Sequence, residues 1–431
     1  MSEKFDAVIV GGGPAGLSAA YFLAKKGLEA VVVERGAETG SKNVFGGRIY
    51  SYVLDKHIPG WRKEAPIERW VRKEKLSLSC GDSTLTLDFD IHRGYSDEEY
   101  DSFTAFLSKF VAWLAEKAEE EGALVLAGSR VDDVLFKEGI ASGVIAGGEE
   151  LEADYVVIAE GVNTLLSEKL GIRKEPSLNT TALGVKEVIR LGRDEINKRF
   201  NLEDWEGVAH FFMGGPLQGI AGGGFLYTMG EYVTLGAVVR LSEIRKKNIM
   251  MKDIAELIRL HPAVYEYVKG GVLMEYSAHL TREGGLLDVM DKPYGPGYVV
   301  VGDAAGYLLN TGFTVRGVDM AIESGRLAAE AIAKASEEGR RDEEALSLYK
   351  KLVDESVIGH NLREFKDLPK LLEKDILYTA LPNVACDVFK AAYTTEETVQ
   401  RLYPTMMHSL KRNNLGLLTL LKLFLEARRS I

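Results

Sequence analysis

Apolar residues enter this chain as short unbroken runs. FDAVIV at 5–10 and AVVVE at 30–34 each read as a buried strand, and LSAAYFLAKKG between them reads as a helix ending near Gly27. Together they make a βαβ unit of about 30 residues. The spacing predicts a further helix over 98–121, stopped by Gly122, and then strands at ALVLAG, VDDVLF, SGVIAG and DYVVIAEGV. From 180 to 240 the pattern changes to short strands broken by glycine: TALGVKEVIRL, AHFFMGG, GIAGGGFLYTMG and YVTLGAVVRL. That is the pattern of a second, antiparallel, sheet-rich domain. YVVVGD at 298–303 returns to the buried parallel type, GVDMAIESGRLAAEAIAKA is a long helix, and from about 340 onward the chain is helical. No repeat or low-complexity linker separates these blocks, so the domains are expected to interleave. Residues 1–75, 98–175 and 285–340 are assigned to nucleotide binding, 76–97 and 176–284 to a sheet-rich substrate domain, and 341–431 to a helical C-terminal region.

The first turn carries the sharpest chemistry. Gly11, Gly13 and Gly16 satisfy G-x-G-x-x-G between a strand and a helix, with Pro14 and Ala15 opening the helix. The first glycine permits the tight turn, the second lets backbone approach a pyrophosphate, and the third lets helix and strand pack closely. Helix N–H groups then face the phosphates. Glu34 ends the second strand, where a carboxylate accepts hydrogen bonds from ribose hydroxyls and disfavours a 2′-phosphate. The prediction is an ADP-containing dinucleotide.

Composition narrows the rest. The 431 residues are 46% hydrophobic and 27% charged, a soluble globular balance, and the net charge of −11 argues against nucleic-acid binding. Two cysteines, Cys80 and Cys386, cannot ligate an iron–sulfur cluster alone; they make no disulfide framework and read as inert buried thiols in a reducing cytosol. The N-terminus lacks signal-peptide features, and no run of 18 apolar residues occurs.

YVVVGDAAGYLLNTGFTVRGVDMAIESG places Asp303 after a buried strand and before a glycine-rich helix entry. This resembles the flavin-contacting motif of FAD monooxygenase-like proteins, and VVIAEGVNTLLSEKLG resembles its companion motif with Glu160 in place of the usual Asp. GSKNVFGGRIY at 40–50, YSAHLTREGG at 276–285 and GFTVRGVDMAIESG at 312–325 are similar to FixC-type electron-transfer flavoprotein–quinone oxidoreductases. The resemblance runs from residue 5 to about 370. It implies an α/β fold, α+β in part, of the glutathione-reductase/p-hydroxybenzoate-hydroxylase type, with an interleaved antiparallel sheet and a helical C-terminus. It implies non-covalent FAD held at Gly11, Gly13, Pro14, Ala15, Gly16, Glu34, Arg35, Lys42, Asn43, Gly47, Arg48, Val131, Gly161, Asp303, Gly312, Phe313 and Thr314. The implied partners are the alpha and beta subunits of an electron-transfer flavoprotein, a small ferredoxin-like FixX-type subunit that carries the 4Fe–4S cluster, and menaquinone or ubiquinone. The implied location is cytoplasmic, peripheral on the inner face of the cell membrane.

The remaining residues set expectations for mechanism. Gly147-Gly148, Gly214-Gly215 and Gly270-Gly271 do not follow a strand and open a helix, so no nicotinamide domain is expected and electrons would come from another protein. The seven histidines show no metal spacing; His279 is a functional candidate only through the YSAHL segment. Arg48 and Arg316 are placed near the flavin, where a cation stabilises a reduced anionic ring; a surface salt bridge is the plain alternative. FFMGG at 211–215 and the glycine run after it could line a slot for a flat quinone, or be an ordinary sheet core. Between 415 and 425 eight of eleven residues are Leu or Phe, and over 411–429 five basic residues stand against Glu426. That suits an interfacial helix or a helix packed on a partner. The competing enzyme class is a geranylgeranyl-reductase-like saturase of polyprenyl lipids, but GGGFLYTMGEY lacks the Trp and Pro of that group's Tyr-x-Trp-x-Phe-Pro motif.

Overall fold

A computed structural model describes residues 4–81, 83–91, 100–217, 219–394 and 399–430. The predicted βαβ unit is present as β1 (Lys4–Val10), α1 (Pro14–Lys25) and β2 (Ala30–Glu34). Pro14 starts α1, where its fixed φ suits a helix and its missing N–H costs nothing. Five parallel strands form the centre of an eight-stranded sheet, in the order Tyr298–Val300, Glu149–Ile158, β1, β2, Leu124–Ala127. A hairpin, Val131–Lys137 and Ile140–Ala146, extends it through Glu149–Ile158. Helix α1 packs against the long helix Val318–Glu337 so closely that a Cβ on Gly325 would collide with the Ala15 carbonyl. Ser18 Oγ donates to the Ile322 carbonyl across the same contact, at 2.6 Å.

A nine-stranded sheet holds the second core, in the order Val272–Arg282, Thr181–Arg190, Tyr232–Arg240, Gly222–Met229, Glu206–Gly214, Arg69–Cys80, Ser102–Phe106, Gly46–Tyr50, with Ser83–Asp90 on the flank of Arg69–Cys80. Three expectations are corrected here. The helix expected over 98–121 begins only at Leu107; Ser102–Phe106 is a strand, paired with Gly46–Tyr50, and 98–99 lie outside the described residues. Buried cross-strand partners override the helical spacing there. The strands at 46–50, 69–75 and 102–106, assigned from the sequence to nucleotide binding, hydrogen-bond into the second sheet. That sheet is not wholly antiparallel, because Glu206–Gly214 runs parallel to Arg69–Cys80.

Helices fill the C-terminal region, among them Ala380–Tyr393, Leu402–Arg412 and Leu417–Ser430. Cys80 and Cys386 are joined as a disulfide, Cα atoms 6.5 Å apart, instead of standing as free thiols. The helix Ala380–Tyr393 lies on the strands that carry Cys80, and a sequence separation of 306 gives no hint of that contact.

Candidate functional site: a dinucleotide cleft that opens onto the second sheet

The cleft starts at the end of β1. Gly11 adopts φ +107°, closed to most side chains, and a Cβ there would press on the Ala159 carbonyl of the adjacent strand. A Cβ on Gly16 would collide with the Gly11 carbonyl and touch Ile9 and Ala159. Gly13 is different: nothing lies within 4 Å of where its Cβ would be. It caps α1 with no side-chain partner, so backbone donors of the first turn meet open space. Glu34 is held by two backbone N–H groups, Gly12 to Oε2 at 2.8 Å and Gly36 to Oε1 at 2.6 Å. A carboxylate has about four acceptor sites, which leaves room for ribose hydroxyls.

Beyond this loop the cleft is lined by groups from both ends of the chain. Asp303 follows the strand Tyr298–Val300, and burial pushes its carboxyl up, opposed chiefly by the charge of Arg282. Arg282 is itself buried, donates to the Val162 carbonyl at 2.9 Å and pairs with Asp288 at 3.5 Å. Glu160 lines the cleft, but both carboxylate oxygens are engaged by the helix that follows. Its Oε2 accepts from Leu166 N at 2.7 Å and its Oε1 from Ser167 N at 2.8 Å, so the longer side chain caps the helix Leu165–Lys169. Arg48 donates Nε to Ser102 Oγ at 3.0 Å and pairs through Nη2 with Glu74 at 2.5 Å. Its Nη1 is buried without a partner, on a residue that lines the cleft.

These groups enclose one cavity of about 570 Å³. Every site residue expected from the sequence lines it except Gly16 and Gly47. Gly16 acts behind the loop, and a Cβ on Gly47 would strike the rings of Phe45 and Tyr227. Arg316 is also off the lining: it pairs with Asp319 at 2.6 Å and stacks over Tyr50 and Tyr52. The cavity runs on past Phe211, Phe212, Met213 and the backbone of 221–224, where small residues let it pass between strands. His279 lines it as well, its Nδ1 2.5 Å from the Leu280 carbonyl. Sequence reasoning missed Lys186, Arg240, Glu283 and Tyr378, which close the far end. Lys186 and Arg240 lay in segments noted only as strands, TALGVKEVIRL and YVTLGAVVRL, Glu283 lay in YSAHLTREGG, and Tyr378 lay in none.

An open glycine at a helix N-terminus, a carboxylate at the end of β2 with acceptor sites to spare and a buried Arg48 Nη1 without a partner fit an FAD. Fold and cleft thus define a dinucleotide-binding flavoprotein of the two-sheet type. The family model for pyridine nucleotide-disulphide oxidoreductases matches residues 5–195. A probable electron transfer flavoprotein-quinone oxidoreductase of Escherichia coli K12, YdiS, is 39% identical over 97% of both chains. Protein FixC of Salmonella typhi is 40% identical over 92% of both. The chain belongs to this FixC and electron transfer flavoprotein-quinone oxidoreductase family of FAD-dependent enzymes. Among solved structures, a geranylgeranyl bacteriochlorophyll reductase-like protein from Thermoplasma acidophilum superposes with TM-score 0.74 at 20% identity, covering 95% of this chain and 96% of that one. The flavin-dependent brominase Bmp2 gives 0.65 at 17%, covering 96% and 99%. At such identities these two speak to the fold.

Proposed function

We propose that this chain is the FAD subunit that takes electrons from an electron-transfer flavoprotein and delivers them to a membrane quinone, menaquinone or ubiquinone. The observation that carries the reading is the continuity of one cavity from the dinucleotide loop to an apolar slot in the second sheet. When bound, FAD supplies the one- and two-electron chemistry. In this reading Gly11, Gly13, Pro14, Ala15 and the first turn of α1 hold the pyrophosphate, and Glu34 takes the ribose, with Arg35, Lys42, Asn43 and Val131 around the adenosine half. Arg48, Gly161, Asp303, Gly312, Phe313 and Thr314 surround the ring half. The slot at Phe211–Met213 and 221–225 receives the flat head group. A FixX-type ferredoxin-like subunit carries the 4Fe–4S cluster in the complex.

Peripheral placement at the inner face of the membrane belongs to the same reading. Among the described residues no helix is long and apolar enough to cross a bilayer. The helix Leu417–Ser430 leaves Leu417, Leu418, Leu421, Phe424 and Leu425 exposed, up to 76% at Leu418, with Arg428 and Arg429 in its last turn and Lys411 and Arg412 at the end of the helix before it. An apolar face flanked by cations suits an anionic lipid surface. The test mixes the flavin-loaded protein with a reduced two-subunit electron-transfer flavoprotein and a short-chain quinone. Quinol formation that requires all three supports the reading. Saturation of a polyprenyl lipid without quinone turnover overturns it in favour of a reductase.

A further inference from the structure

The far end of the cavity has a polar corner around Glu283. Where the strand Val272–Arg282 ends, Glu283 turns inward; it is 7% exposed and lines the cavity beside Arg240, Asn310 and Tyr378. Asn310 is oriented by its own loop. Its Oδ1 accepts from Gly312 N at 2.7 Å, so its Nδ2 donates to Glu283 Oε2, also at 2.7 Å. The other donors are committed elsewhere. Arg240 donates to the Pro369 carbonyl at 3.2 Å and pairs with Glu373 at 3.4 Å, and the Tyr378 hydroxyl donates to the Leu372 carbonyl at 2.9 Å. Among the described residues Glu283 Oε1 has no hydrogen-bond partner.

We propose that Glu283, carrying its proton on Oε1, is the hydrogen-bond donor that holds a ring carbonyl of a quinone-class ligand at the end of the apolar slot. The inference rests on the quinone reading above and names the residue that recognises the head group. Because Oε2 accepts from Asn310, a proton on the carboxyl belongs on Oε1, the oxygen left for the cavity. A quinone is apolar across its face and offers only acceptors at its edge, so a protonated carboxyl at the end of a slot of apolar strands complements it. Burial pushes the Glu283 carboxyl above the usual carboxylate range, opposed by the Asn310 hydrogen bond and the charge of Arg240. The remaining acids nearby are engaged: Glu243 with Lys247 at 3.0 Å and Asp288 with Arg282 at 3.5 Å.

The experiment titrates 2-methyl-1,4-naphthoquinone into the oxidised, flavin-loaded protein by calorimetry, without an electron donor, so that binding is read and not turnover. Glu283→Ala is expected to weaken binding roughly tenfold, the size of one hydrogen bond. Glu283→Gln keeps a donor and is expected to bind as the parent does. Parent affinity is expected to fall as rising pH ionises Glu283, and Glu283→Gln to stay flat across that range. Unchanged binding by Glu283→Ala overturns the proposal, as does a pH slope shared by the parent and Glu283→Gln. If Glu283→Ala loses its flavin, the Glu283→Gln profile decides alone. A parent protein that binds no quinone removes the quinone reading itself, whereas equal binding by parent and both variants removes only Glu283.

Discussion

The two sheets of this protein are stabilised in different ways. The strands of the eight-stranded sheet bury one polar side chain, Ser142, and the rest of their buried positions are apolar. The nine-stranded sheet buries Arg69, Lys73, Lys186, Glu187, Glu206, His210 and Arg240 along its strands. Most of those groups find partners far away in sequence, although His210 Nδ1 and Glu187 Oε2 are buried without a hydrogen-bond partner among the described residues. Arg69, 1% exposed, donates to the carbonyls of Gly230, Glu203 and Glu206 and to Asn197 Oδ1. Lys73 Nζ donates to the carbonyls of Phe200 and Asn201. The lesson is that the cofactor sheet depends on shape, and the second sheet on networks in which each member needs the others.

The largest effect should come from breaking shape. Gly16→Val puts a side chain onto the Gly11 carbonyl, and the expected loss is about 3 kcal/mol or more by denaturant unfolding. Gly13→Val is the matched control: its space is open, so stability should change by less than about 1 kcal/mol while flavin is lost from the purified protein. A yellow Gly13→Val protein would move the pyrophosphate elsewhere. The corresponding break in the second sheet is Arg69→Met, which strands several buried carbonyls and should cost about 3 kcal/mol. A neutral result there would dissolve the contrast between the sheets.

A smaller effect follows from pH. Burial and then the charge of Lys75 push His210 down to about 3, from the ordinary 6.5. The unfolded chain therefore binds a proton that the folded one refuses, so stability should fall as pH drops from 6.5 toward 3, by up to about 1.4 kcal/mol per pH unit. His210→Gln should flatten that slope in denaturant midpoints, and an unchanged slope would assign it to other groups. Smallest for stability is the double change Leu418→Glu with Phe424→Glu on the exposed helix, expected within about 0.5 kcal/mol. Sedimentation with anionic vesicles should nonetheless be lost. Unfolding instead would mean that this helix packs against the body of the protein.

Much of the cofactor half was legible in the sequence because its rules are local. A turn of three glycines, a proline at the first helical position and an acid at the next strand end act within one βαβ unit, and the structure brings Gly11, Gly13 and Glu34 to one cavity. Misreadings arose where distant contacts decide. Ser102–Phe106 carries helix-like spacing but gains two strand partners, Gly46–Tyr50 and Arg69–Cys80. Glu160, noted in the sequence only as standing where an Asp is usual, turns its carboxylate to the helix N–H groups of Leu166 and Ser167, a local contact that the motif did not show.

By itself the sequence determined the βαβ unit, the order of its motifs and the family, since each rests on residue types a few positions apart. Only the tertiary structure decided that Cys80 meets Cys386, that Arg316 serves Asp319 and not the cleft, and that Glu283 closes the cavity with a free oxygen. Those outcomes depend on which buried polar groups find partners. That competition is settled across hundreds of residues, after the sheets have paired and the helices have packed.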